Sequence, residues 1–341
     1  MLKKTEEYSW LGEINSLSLQ AVLRNLDSGF KNFFREKKGF PRFKSKKSNR
    51  QSFQIVQNTK VDFTSGKISI PKIPNIKAIL HRQWNDVENS EIKTCTISKT
   101  PSGKYYISIL VDTKEITPDK LPISENQAVA FDLGIKSFLV ASNKDVIDNP
   151  RFLKKSLTKL KRIQRQHSRK VKGSNNRSKH RIKLSRVHEK VTNQRNNFLH
   201  QKTASYIKTD FITFCFEDLN VKGMVRNHKL ALSINDVGWS TFRKYLIYKA
   251  EWTGKNILTI GRFDPSSKLC SNCGTLHKSL TLRDRIFKCQ NPQCKLKIDR
   301  DYQASLNIKK FAFHHQNMVN DKLEKIGKEL AKSIGRVKVK N

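Results

Sequence analysis

The sequence predicts an α/β protein of several domains, on three observations. Between Phe53 and Asp112 the apolar residues recur at every second position, the period of β-strands. Two apolar runs, Gln127–Ser142 and Phe211–Phe216, each carry a carboxylate at the edge of a buried strand. Two cysteine pairs near the end of the chain are spaced as metal knuckles, and helical stretches separate these parts.

In chain order, the expected domains are a helical segment over 1–50, a β domain over 51–125 and a larger α/β domain over 126–264. A basic helical hairpin over 151–206 interrupts that domain. A metal ribbon over 265–298, the last part of the α/β domain over 299–315 and a basic tail over 316–341 complete the chain. Leu19, Leu23, Leu26, Phe30 and Phe33 fall at helical spacing after Asn15 or Ser16, either of which can cap the helix. From Lys37 to Phe53 the chain is basic, broken by Gly39 and Pro41, and interleaved with Phe40, Phe43 and Phe53. Cations for phosphates and rings for stacking on bases suit nucleic-acid contact; a solvated loop is the competing reading. The runs FQIVQ, KISI, IKAIL, EIKTCTISK and KYYISILVD form a small antiparallel sheet or barrel, and Pro118 and Pro122 mark the boundary that follows.

QAVAFDLGIKSFLVAS reads as an apolar strand ending at Asp132, a glycine turn at Gly134 and a second strand. A carboxylate in such a place is costly unless paired or bound to a cation. Leu153, Leu157, Leu160 and Ile163 stripe one helix of the hairpin, and Leu184, Val187, Val191 and Phe198 stripe the other. Their remaining faces are dense in Lys and Arg, either to meet nucleic acid or simply to be solvated. Phe211–Phe216 is a further strand, ending in Glu217 and Asp218. A basic amphipathic helix and another strand lead from it to the ribbon.

Cys270 and Cys273 form a C-x2-C pair, and after fifteen residues Cys289 and Cys294 form a C-x4-C pair. Four thiolates on two tight turns suit a structural Zn2+, and the basic span between them reads as a hairpin. Disulfides would require an oxidising compartment, and MLKKTEEYSW contains no apolar run able to act as a leader. Cys95 and Cys215 sit alone in apolar runs as small core residues.

Lys and Arg outnumber Asp and Glu by 68 to 29, a formal charge of +39. Self-repulsion on that scale points to a polyanionic partner, and no apolar run spans a bilayer. The expectation is a soluble, intracellular protein that binds nucleic acid. Asp132, the Glu217–Asp218 pair and the Asp299/Asp301 pair meet if the two strands are neighbours and the last helix crosses their ends. Three carboxylates gathered there would repel one another unless cations neutralised them. Mg2+ or Mn2+, as a pair about 4 Å apart, is the known use of such a cluster, in phosphodiester hydrolysis.

FDLGIKSFLVAS, FEDLNVKGM, PSSKLCSNCG and DRDYQASLNI resemble, in order, the motifs of the transposon-encoded OrfB/TnpB proteins. The resemblance covers roughly Trp10 through Ile308. It implies a RuvC-like nuclease domain of RNase H fold with an inserted helical hairpin and zinc ribbon, preceded by a wedge-like β domain. It also implies an RNA-guided endonuclease that takes a guide RNA from the transposon end and cuts DNA. The family's catalytic, metal-binding carboxylates then fall on Asp132, Glu217 and Asp301. The second cysteine pair is wider than the family's usual C-x2-C. Gln303 stands where an Asn is usual; it keeps an amide but is longer by a methylene, which is expected to weaken its support of the metals. The chain begins inside the helical recognition part, so the expectation includes a shortened N-terminus. The alternative from another class is a non-cleaving, zinc-containing repressor or remnant of the same family.

Overall fold

In the computed structural model, residues 5–42, 45, 51–81, 83, 90–281 and 283–334 are described; in the last helix, side chains are described to Val319 and at Asp321. Phe43 and the end of the expected basic tail, 335–341, lie outside them. The chain forms two compact units, Met1–Ile116 with Leu160–Glu189 and Thr117–Lys159 with Lys190–Asn341.

The first unit opens with a short 3-10 helix, Glu6–Gly12, and α1, Ser16–Glu36. Asn15 caps α1, its Oδ1 accepting from the amides of Leu17 at 2.8 Å and Ser18 at 3.3 Å. Phe40 turns back edge-on to Phe30 and Phe33, at 5.7 and 5.3 Å between ring centres, so this ring of the basic segment lies against α1. Six strands follow: β1 Gln51–Ile55, β2 Lys60–Asp62, β3 Lys67–Ile70, β4 Ile73–Lys77, β5 Glu91–Lys99 and β6 Tyr105–Asp112. They form two three-stranded antiparallel sheets, ordered β1-β5-β6 and β2-β3-β4. Ile55 and Cys95 from the first sheet and Ile68 and Ile70 from the second share one core. Glu189 joins this unit through Lys104 Nζ, 3.1 Å away, and the Tyr106 hydroxyl, which donates at 3.3 Å.

The second unit is built on a five-stranded sheet. Its strands are β7 Ala128–Asp132, β8 Ser137–Ala141, β9 Val146–Asp148, β10 Thr213–Glu217 and β11 Asn256–Ile260, ordered β11-β10-β7-β8-β9. β11, β10 and β7 run parallel, β8 returns antiparallel to β7, and β9 pairs antiparallel with β8. The hairpin helices α2, Phe152–Ser168, and α3, Asn175–Ile207, come between β9 and β10. Then α4 Val221–Met224, α5 His228–Val237 and α6 Trp239–Trp252 lead to β11.

Because side chains alternate along a strand, the sheet has two buried faces. Val129, Phe131, Phe214 and Phe216 point to one, packed with Leu199 and Tyr206 of α3 and Phe242, Leu246 and Ala250 of α6. Ala128, Ala130 and Cys215 point to the other, where small residues let α7, Arg300–Ile334, lie close through Ile308, Ala312 and Phe313. α7 continues past residue 315 to Ile334, where composition suggested a tail. Its Lys, Glu and Leu residues give it the propensity for this despite its charge.

Asp236 fastens the hairpin's base to α5. It accepts from the amides of Leu153, at 2.9 and 3.0 Å, and of Lys154, at 3.2 Å, capping α2 from a distance. Arg195 Nη2 reaches its Oδ1 at 3.3 Å. The ribbon between β11 and α7 holds a short hairpin, β12 Ile286–Lys288 and β13 Lys297–Asp299, over a core of Cys270, Leu280 and Phe287. Among the described residues no helix is long and apolar enough to cross a membrane.

Candidate functional site

Thr213 lies opposite Ala128 and Phe216 opposite Phe131, so the next step of the parallel ladder sets Glu217 beside Asp132. Neighbouring strands are about 4.8 Å apart. By alternation both carboxylates share the face of Ala128, Ala130 and Cys215, the face that α7 covers. In α7, Asp301, Ser305, Ile308 and Ala312 recur at steps of four, three and four, so Asp301 heads the stripe turned toward the sheet. Gly134 makes the turn after Asp132 feasible: a Cβ there would stand 2.8 Å from the Ser137 carbonyl oxygen.

Asp132 is consequently hard to ionise. Burial, then the charges of Asp301 and Glu217, push its carboxyl up to about 8. Burial, then the charge of Asp264, also raises Glu217.

In each acidic pair one member, Asp218 or Asp299, has a structural partner of its own. Asp218 is held by Arg243 Nη1 at 2.7 Å and Arg262 Nη2 at 2.8 Å, and these guanidinium groups keep it below the usual carboxylate range. Asp299 is the last residue of β13 and caps α7, its Oδ1 accepting from the amides of Asp301 at 2.9 Å and Tyr302 at 3.0 Å. The charges of Asp301 and Glu217 both bear on Asp132. Arg300 Nη2 lies 3.2 Å and Arg285 Nη1 3.9 Å from the Asp301 carboxylate.

Three carboxylates offer hard oxygen donors, the kind that Mg2+ and Mn2+ take. Their oxygens do not all lie within 4.8 Å of one another; among the described residues the four cysteines are the group that does. A cleft of about 330 Å3 opens beside Asp301, with Lys136, Lys144 and Arg285 among its walls. Asp264 and these three cations were missed by sequence reasoning. The Asp–Pro step just before the ribbon was the one available signal for Asp264.

The four cysteine sulfurs lie within 4.8 Å of one another, with Cys270 and Cys294 3.7 Å apart and Cys273 and Cys289 3.4 Å apart. Four sulfurs about 2.3 Å from a tetrahedral ion would stand about 3.8 Å from each other, so the cluster is dimensioned for a metal. Hydrogen bonding with Thr275 lowers the Cys273 thiol to about 6, while burial pushes its neighbour Cys289 up to about 12. Gln303 does not reach toward the carboxylates, contrary to what its position in the motif suggested. It is fully buried, its Nε2 donates to the Leu269 carbonyl at 2.6 Å, and its Oε1 accepts from the Ser271 hydroxyl at 2.8 Å. Asn307 Nδ2 donates to the carbonyls of Ser266 at 2.7 Å and Leu269 at 2.6 Å. The extra methylene of Gln303 therefore serves to tie α7 to the Cys270 knuckle.

Residues 108–228, which include Asp132 and Glu217, match the OrfB_IS605 family, described as probable transposase. Residues 239–308, which include the cysteines and Asp301, match the Cas12f1-like TNB domain. A Streptomyces pristinaespiralis protein named "Putative RNA-guided DNA endonuclease" is 37% identical over 308 residues, 90% of this chain and 74% of its own. The similarly named InsQ protein of Escherichia coli is 33% identical, over 84% of this chain and 73% of its own. The fold is similar to that in a solved structure described as "Cryo-EM structure of the Cas12f1-sgRNA-target DNA complex". That likeness has a TM-score of 0.54 at 15% identity, over 85% of this chain and 70% of the other.

Proposed function

The chain belongs to the OrfB_IS605 family of probable transposases, together with proteins named as RNA-guided DNA endonucleases, and from that membership we propose that it is itself an RNA-guided DNA endonuclease. The proposed nuclease domain is RuvC-like, of RNase H fold, with Asp132, Glu217 and Asp301 as its catalytic carboxylates. The observation that carries this reading is the ladder step that sets Glu217 beside Asp132 under the start of α7. A protein that only binds gains nothing from such mutually repelling charges.

Asp132, Glu217 and Asp301 would hold Mg2+ or Mn2+. Bound there, a pair of such ions supplies activation of the attacking water and charge stabilisation at the leaving 3′ oxygen. The chain's own residues do the rest. Glu217 and Asp132, on adjacent strands, fix the donor oxygens relative to each other. Arg285 and Arg300 limit the repulsion at Asp301, and Lys136 and Lys144 line the cleft through which a phosphate backbone would approach. Zn2+ at Cys270, Cys273, Cys289 and Cys294 would hold the ribbon together. Gln303 and Asn307 would then keep α7, and with it Asp301, in register. The partners on this reading are a guide RNA from the transposon end and a DNA target.

The test is purification with co-expressed nucleic acid, sequencing of the RNA retained, and plasmid cleavage in Mg2+ directed by that RNA. Asp132→Ala is expected to abolish cutting while RNA and DNA binding stay largely intact. Equal cutting by that variant removes the assignment.

A further inference from the structure

Along the carboxyl edge of the five-stranded sheet the chain sets out a row. Phe263 comes just past β11, Glu217 ends β10, Asp132 ends β7, and Lys136 lies at the turn into β8. Adjacent strands are about 4.8 Å apart, so the strand leading to Phe263 runs one step from that of Glu217 and about 10 Å from that of Asp132. Ile260 is opposite Glu217 in the ladder, and the charge of Asp264, the residue after Phe263, bears on Glu217.

Phe263 is 98% exposed, more than any other Phe, Tyr or Trp among the described residues. A lone ring in water is ordinary on a protein surface, but this one is held there. Residues 261–264 close a turn, the Asp264 amide donating to the Gly261 carbonyl at 3.4 Å and the Gly261 amide donating to Asp264 Oδ2 at 2.8 Å. Before the ring, Arg262 Nε donates to Asp218 Oδ2 at 2.8 Å. After it, Asp264 Oδ2 lies 3.7 Å from His315 Nε2 of α7, and the Asp264 carbonyl accepts from the Ser266 amide at 2.7 Å. Both flanks are tied down, and the ring between them stands with its faces open.

We infer that Phe263 stacks on one unpaired base of the strand presented to the carboxylates, beside the phosphate that is cut. Lys136 and Lys144 line the cleft at the other end of the row, so ring and cations would grip the strand from the two sides of the cut. Stacking asks only for a π-face, so Phe263 places the strand without reading its sequence. Freeing a base from its neighbours is easiest in a single strand, so the segment gripped is single-stranded. The inference rests on the nuclease reading of Asp132, Glu217 and Asp301, because it names the form of substrate that this site takes.

The test is a cleavage cycle in Mg2+, using the full chain with its co-purified RNA and target DNA made abasic at one nucleotide at a time across the cut. Phe263→Ala, at a position too exposed to threaten the fold, is expected to slow cutting of intact DNA about fivefold or more. One abasic nucleotide beside the cut slows the wild type to the same degree and does not slow Phe263→Ala further. Phe263→Tyr keeps a ring and cuts as the wild type does. Unchanged cutting by Phe263→Ala, or losses that multiply at every abasic position, overturns the inference; the ring then serves a contact blind to bases, such as a protein partner. A second measurement needs no cutting. In the Asp132→Ala protein, Phe263→Trp adds an indole to the four tryptophans of the chain. A base-bearing single strand is expected to quench this added emission, and an abasic strand of the same length to leave it unchanged. Absence of quenching overturns the inference. Quenching by a protein whose wild type does not cleave overturns the nuclease reading instead and leaves the stacking in place.

Discussion

The sharpest expectation concerns Asp132 in the metal-free protein. Its carboxyl is displaced from 3.8 to about 8 by burial and by the charges of Asp301 and Glu217. At about 1.36 kcal/mol per pH unit, ionising it in the folded state costs roughly 5–6 kcal/mol more than in the unfolded chain. Between about pH 4 and pH 8 the folded protein keeps this proton and the unfolded chain has lost it, so stability falls as pH rises through that window. From pH 5 to pH 8 the loss is up to roughly 4 kcal/mol, and partial access of water to the side chain brings it nearer 2. Asp132→Asn keeps the shape and removes the charge, so it lacks this contribution. Urea unfolding in EDTA at pH 5 and pH 8 then shows the variant gaining on the wild type by about 2–4 kcal/mol at the higher pH. Adding Mg2+ reverses the order at pH 8, because the cation displaces the proton. The same pH slope in both proteins would refute the crowding of carboxylates on which the site rests.

Two further outcomes follow from the geometry. Elemental analysis is expected to return one zinc per chain, and chelation to expose 265–298 to protease before the five-stranded sheet unfolds; folded protein without zinc would remove the ribbon's metal. Asp236→Ala removes the cap of α2 and leaves Arg195 without its carboxylate, a loss of about 3–5 kcal/mol that a urea titration reads directly.

The strands ending at Asp132 and at Phe216 were legible because apolar runs broken by a carboxylate are rare outside buried sheets. The cysteines were legible because thiolate spacing is local chemistry. Which partner of each acidic pair faces the site was not legible without the resemblance. That choice depends on Arg243 and Arg262 closing on Asp218 and on Asp299 turning to cap a helix, which are tertiary contacts. The destination of the Gln303 amide was hidden for the same reason. β2, at three residues, is too short to carry a period. α7 beyond residue 315 was missed because charge density masked a sequence of good helix formers.

Asp299 ends the ribbon's last strand and caps α7 at once, so no spacer separates the two. A helix turns about 100° per residue. One residue inserted or deleted between Asp299 and Asp301 would leave Asp301 in phase with Ser305, Ile308 and Ala312 but would break the Asp299 cap and turn the ribbon by about 100° against α7. Length changes are therefore tolerable in the loops of the ribbon and forbidden between Lys297 and Asp301. A single-codon indel there would uncouple the ribbon from the helix that Asp299 caps.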